Sequence, residues 1–181
     1  MLDLGVIAKN LGFLLGQGLL GLGAFGGGTL ALAVPAIGLG FLLGVFVGLA
    51  RLARAPWVRL PATAYVEFFR GVPLVMVIFW IWFIIPQLLR VPIPEYGVAL
   101  TAFVVFEAAY FGEIVRAGIQ SVPRGQVEAA ASLGLTQAQA MRRVVLPQAL
   151  RNMVPSLVTQ TIVLFKDTSL ASIIGYVDLT K

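Results

Sequence analysis

A chain with no histidine and no cysteine has only carboxylates, Lys, Arg and hydroxyl groups to work with. It cannot build a Ser-His-Asp or Cys-His nucleophile, a thiol redox pair, a disulfide framework or the usual N/S zinc site. No catalytic residue and no metal set is expected. The 8 Asp+Glu and 13 Lys+Arg are few for 181 residues, and some stand inside apolar sequence, where an ionisable group is costly and functional by default. Glu107 lies near the middle of one such run with no partner on its own helix, which suits a polar cavity or a solute contact. Glu113 and Arg116, three apart, share a helix face, and an ion pair that fixes packing is the plainest reading. Glu67 and Arg70 have the same spacing and read as a structural pair or part of a gate. Lys166 and Asp167 precede Thr168 and Ser169. A cation and hydroxyls there could meet a carboxylate, and Asp167 an ammonium; a solvated helix end is the equal alternative.

The elements that must position these groups are membrane helices. The chain is 59% apolar and 12% charged, with a mean hydropathy of +0.95, against about a quarter charged in ordinary soluble domains. The net +5 does not point to nucleic acid, because most Arg residues lie at the ends of apolar runs, where a bilayer explains them. A spanning helix needs about 20 apolar residues. Thr29 to Leu49, Pro61 to Leu89, Tyr96 to Ile119 and Gln148 to Phe165 are expected to span. The Gly-rich Leu4 to Phe25, within a first segment 1–28, is a weaker span or lies in the interface; with little basic sequence before it and a long apolar continuation, a cleaved signal peptide fits poorly. Arg51, Arg54 and Arg59 in one loop and Arg124, Arg142 and Arg143 in another place both loops in the cytoplasm, with the link at Arg90 and Glu95 outside. Gly40, Gly44 and Gly48 recur every four residues and predict close approach of a neighbouring helix. Pro73 and Pro86 should bend or end the helix that holds them.

Between the last two spans, Ser121 to Leu146 is polar enough to leave the lipid. Pro123 can open a short helix, the Ala-rich run from Glu128 continues it, and Gly134 is a natural stop. Thr136 and Gln139 have capping-box spacing for a second helix, with Arg142 and Arg143 at its negative end, and Pro147 starts the next span. On spacing alone, this helix, glycine, helix element could pack on its own membrane helices or dock on another protein.

The order Glu128-Ala129-Ala130, three residues, Gly134, nine residues, Val144, one residue, Leu146-Pro147 resembles the EAA loop of ABC-importer permeases, with Val144 where isoleucine is more usual. Gly112 to Gln126, Leu164 to Leu170 and Phe69-Arg70-Gly71-Val72-Pro73-Leu74 look like the polar amino acid branch of that family. Phe106-Glu107-Ala108-Ala109-Tyr110 with Ile162 to Leu170 is most similar to glutamate/aspartate importer permeases. The resemblance covers about Gly28 to Thr180.

It implies an all-α, polytopic membrane protein of the type I ABC importer permease (MetI-like) fold, with 29–181 as the transmembrane domain and 121–147 as the cytoplasmic coupling loop. Glu128, Ala129, Ala130, Gly134, Leu146 and Pro147 would couple to a cytoplasmic ATPase dimer, which would use ATP and Mg. No Gly-x-x-x-x-Gly-Lys-Ser/Thr occurs in this chain, so it would bind no cofactor and hydrolyse nothing itself. Its other partners would be a second permease subunit, identical or related, an extracytoplasmic amino acid binding protein and the lipid of a bacterial inner membrane. The expected function is ATP-driven import of glutamate or aspartate. The alternatives are another polar amino acid (glutamine, histidine or arginine), a passive channel or secondary transporter, or a membrane anchor for other proteins. Family members continue past Asp178-Leu179-Thr180 into a final span, so 181 residues is expected to fall short of a complete permease.

Overall fold

The computed structural model describes residues 28–90 and 93–176, with Leu11 and Leu19 as single positions. The expectation for Leu4 to Phe25 therefore lies outside the described residues. Among the described residues the chain is helical, without strands: α1 (Thr29–Arg51), α2 (Pro56–Gly71), α3 (Leu74–Leu89), α4 (Glu95–Gln120), α5 (Arg124–Ser132), α6 (Gln137–Ala140) and α7 (Leu146–Asp167), closed by a 3-10 turn Thr168–Ile174. Three stretches are long and apolar enough to cross a membrane: Thr29–Arg51, Glu95–Gln120 and the continuous Gln137–Ile174.

The central helix α4 is the most buried, with Ala99, Ala102, Phe103 and Ala108 fully enclosed. Its small residues let α1 lie along it in parallel. A Cβ on Gly44 would stand 2.6 Å from the Phe111 Cβ and 3.0 Å from the Gly112 N, and one on Gly48 2.6 Å from the Gly112 O. The glycine row does what its spacing predicted: it removes the side chains that would hold the two backbones apart. The parallel register is closed at one end by Tyr96, whose hydroxyl donates to the Ala31 carbonyl at 3.2 Å, and by Tyr176, which donates to the Gly28 carbonyl at 2.9 Å. α7 runs back along α4, with Met153 seated against Gly118. Outward faces stay apolar and exposed, as at Val34, Leu42 and Phe46 of α1 and Leu150, Val154, Val158 and Ile162 of α7, which suits lipid rather than water.

Two expectations are corrected. Pro61 to Leu89 is not one continuous helix but part of two, bent by 106° at the Val72-Pro73 step, where Pro73 was expected to bend or end the helix. A residue before proline is pushed out of the helical region; Val72 is extended at φ −116, ψ 149, and Pro73 begins α3 instead of continuing α2. Pro86, by contrast, sits inside α3 without ending it. The second correction concerns Arg142 and Arg143, which do not stand at a helix end. A wider, π-helical turn, Met141–Val145, carries α6 directly into α7. The Pro147 ring crowds the carbonyl four residues back in a regular helix, and a turn that takes up an extra residue just before it relieves that contact.

Candidate functional site

Four groups of side chains stand out along the bundle. The deepest is Glu107 on α4, fully buried. Its Oε2 accepts a hydrogen bond at 2.8 Å from Nε2 of Gln160 on α7, while Oε1 has no hydrogen-bond partner among the described residues. The α1 glycine row makes room for it, since a Cβ on Gly40 would come within 3.2 Å of the Glu107 Cβ. The sequence reading found Glu107 but missed Gln160, which is uncharged. The available signal was an amide in the middle of an apolar span, flanked by Thr159 and Thr161.

Gln160 also lines the wall of a cleft of about 350 Å³ between α4 and α7. Hydroxyls of Ser156 and Thr159 and the ring of Tyr110 line it further along, and Arg70 and Glu113 close its far end. The cleft therefore has an amide backed by a carboxylate at one end and a cation beside a carboxylate at the other. Arg70 lies over the Tyr110 ring, 5.6 Å from its centre, a cation–π placement.

Glu113 is the second group, and it joins three helices. Arg51 of α1 and Arg116 of α4 donate to it, Arg116 Nε at 3.0 Å, and Arg70 from the end of α2 stands 4.0 Å away. The expected Glu113–Arg116 pair is present. The expected Glu67–Arg70 pair is not: Glu67 is exposed, and Arg70 turns towards Glu113 and Tyr110, because the inward face of α2 brings it against α4 while Glu67 points away.

At the other end of α7, Lys166 is exposed, Asp167 half-buried and Thr168 buried. The hydroxyl of Thr168 donates to the Phe165 carbonyl at 2.8 Å and that of Ser169 to the Lys166 carbonyl at 2.9 Å. These donors satisfy the last carbonyls of α7, so Thr168 and Ser169 keep only acceptor capacity for another partner.

The fourth group is the α5–α6 element. Glu128 and Ala129 are exposed, Ala130 is buried against the bundle, and Gly134 takes a left-handed φ of 78. The Leu135 N–H bonds the Ala130 carbonyl at 3.1 Å and the Gly134 N–H that of Ala131 at 2.9 Å, the paired bonds of a Schellman stop. Thr136 and Gln139 form the anticipated capping box. The element offers Leu133, 81% exposed, with Val127, Met141 and Leu146 at its open surface, and Pro147 is exposed beside Leu146. An exposed apolar cluster of this kind, attached to α7 without a break, suits contact with another protein.

A polytopic helical bundle with a polar cleft inside and an exposed apolar element at one end fits a membrane permease. Residues 40–180 match the family described as binding-protein-dependent transport system inner membrane component, and the chain belongs to that family, as an amino acid ABC importer permease subunit. It is 46% identical over 160 residues to the glutamate/aspartate import permease protein GltK of Escherichia coli O6:H1, covering 84% of this chain and 71% of that protein. It is 40% identical over 151 residues to the probable glutamine ABC transporter permease protein GlnP of Bacillus subtilis, covering 83% and 69%. Among solved structures, that of an amino acid ABC transporter with histidines superposes with a TM-score of 0.86 at 36% identity, covering 99% of this chain and 80% of that one.

Proposed function

We propose that this subunit carries acidic amino acids, glutamate or aspartate, across a bacterial inner membrane. A separate cytoplasmic ATPase dimer powers it, a second permease subunit completes the path, and an extracytoplasmic binding protein delivers the solute. The observation that carries the coupling half of this reading is the exposed α5–Gly134–α6 element, continuous with α7, which itself reaches Gln160 and Glu107. Glu128 faces outward, where it meets basic groups of the ATPase. Ala129 permits close contact, and Leu146 and Pro147 sit where the docked element enters the span. ATP and Mg belong to the ATPase, and this chain supplies the path that alternates between the two sides. The basic loops, gathered at the Glu113 end of the bundle, are then cytoplasmic.

The solute half rests on the likeness to GltK and on the polarity of the cleft. Arg70 at one end suits a carboxylate, and Glu107 with Gln160 suits an ammonium. Lys166 and Asp167 lie where solute enters from outside. Uptake of labelled glutamate, aspartate, glutamine, histidine and arginine into vesicles holding the assembled complex tests both halves. Nucleotide-dependent uptake of the two acidic solutes, lost in Gly134→Asp, is expected. Uptake without nucleotide refutes the coupling half, and transport of only glutamine, histidine or arginine refutes the solute.

A further inference from the structure

The helix α2 has three distinct faces. Val58, Ala62, Tyr65, Val66 and Phe69 turn to the bundle: Val66 is buried, Phe69 packs on the core, and the Tyr65 hydroxyl donates to the Val105 carbonyl of α4. Arg59, Thr63 and Glu67 recur every four residues and make a polar face, with Arg70 at its edge turned towards Glu113. Trp57, Leu60, Ala64 and Phe68 make a third, and it is open, with Trp57 79% and Leu60 61% exposed. At the bend, Phe68 stacks on Trp80 of α3 at 5.8 Å, so this open stripe runs on into the exposed apolar surface of α3, at Met76, Phe83 and Ile84.

A spanning helix has lipid or protein on every side and no reason for a separate polar face. A helix lying in the plane of the interface needs an apolar side towards the acyl chains and a polar side towards water, with Trp and basic residues at the boundary. The 106° bend to α3 turns α2 roughly across the direction of the span, at the end of the bundle where Glu113 gathers Arg51, Arg70 and Arg116. Arg54 in the preceding linker and Arg59 are exposed, and neither makes an ion pair among the described residues. We propose that α2 is an interfacial helix that binds an anionic lipid leaflet, with Trp57, Leu60 and Ala64 at the acyl boundary and Arg54 and Arg59 on lipid phosphates. This rests on the membrane helices alone and holds whichever solute is carried.

The chain has no cysteine, so single-cysteine spin labels need no other change. Labels at Leu60→Cys and Gly71→Cys, in the assembled complex in bilayers of phosphatidylcholine and phosphatidylglycerol, report depth through oxygen and aqueous relaxation agents. Both sites are exposed on the open stripe, and a side chain at Gly71 meets nothing within 4 Å. We expect equal depths just beneath the phosphates. A depth difference near the full helical rise between the two sites, about 16 Å, would make α2 part of a span and overturn the proposal. So would labels shielded from both agents, which would mean that a protein covers the stripe. Spin-labelled phosphatidylglycerol should be held in preference to phosphatidylcholine, and Arg54→Gln and Arg59→Gln should each weaken that preference about fivefold. An unchanged preference would remove the anionic headgroup from the reading. None of these readouts requires solute or nucleotide, so a failure of transport leaves them intact.

Discussion

Alanine placed along the α1 glycines should separate close packing from mere flexibility. In a helix, Gly→Ala at an open site stabilises by up to about 1 kcal/mol, because alanine loses less backbone freedom on folding. Gly38 is such a site, with nothing among the described residues within 4 Å of an added Cβ. At Gly40 the nearest atom is 3.2 Å away; at Gly44 and Gly48 it is 2.6 Å away, and at Gly48 that atom is a backbone carbonyl oxygen. Carbon contacts need about 3.5–4.0 Å, so α1 and α4 must part by about 1 Å, and a gap of that size forfeits a quarter to a half of each affected contact. Overpacking of this kind costs about 1–3 kcal/mol. The expected order of stability is therefore Gly38→Ala at or above the parent chain, Gly40→Ala near it, and Gly44→Ala and Gly48→Ala below it by about 1–3 kcal/mol. Unfolding of the purified permease in mild detergent with rising SDS, followed by circular dichroism, gives the ranking. If Gly44→Ala is as stable as Gly38→Ala, the α1–α4 contact is looser than described and the argument from spacing fails.

Glu113→Gln should destabilise more than Arg116→Gln in the same assay, by about 1–3 kcal/mol for a partly exposed charged cluster, because one carboxylate serves three guanidinium groups; equal losses would mean that each arginine finds other partners. Gln160→Leu leaves the buried Glu107 carboxylate without its donor, and a loss of about 1–3 kcal/mol is expected, whereas the double variant with Glu107→Leu should recover much of it. Thr136→Ala removes one half of the capping box and should cost about 1 kcal/mol; faster amide exchange confined to α6 and the turn after it would be the signature, and unchanged exchange there would deny the cap any role.

The sequence was most legible where a single residue type imposes a local geometry. Gly134, Pro123 and the Thr136–Gln139 pair set the α5–α6 element unaided, since a left-handed stop, a proline start and a capping box each need only a few neighbouring residues. The Gly40, Gly44 and Gly48 row was legible for the same reason: its period alone puts three absent side chains on one face. Pro73 was legible as a breaker, yet the size of the bend was not. It depends on what α2 packs against before the break, and Tyr65 finds that partner on α4, some forty residues away in sequence.

The missed or misassigned contacts share one cause. Spacing rules for charges act within a helix, and they correctly paired Arg116 with Glu113. They also paired Arg70 with Glu67, a weak exposed contact at best, while the structure offers Arg70 a less exposed carboxylate and an aromatic ring on another helix. A cation at a helix end chooses between a water-screened neighbour and a partly desolvated one, and lower dielectric strengthens the second. Glu107 poses the opposite case. Its own helix offers nothing, so its partner had to come from elsewhere, and an uncharged amide suffices because it donates without bringing a second charge into the apolar bundle. In chains this poor in charge, the partners of a buried carboxylate should therefore be sought first among the amides and hydroxyls of other spans. By that rule Gln160, near the middle of α7 as Glu107 is of α4, could have been nominated from the sequence.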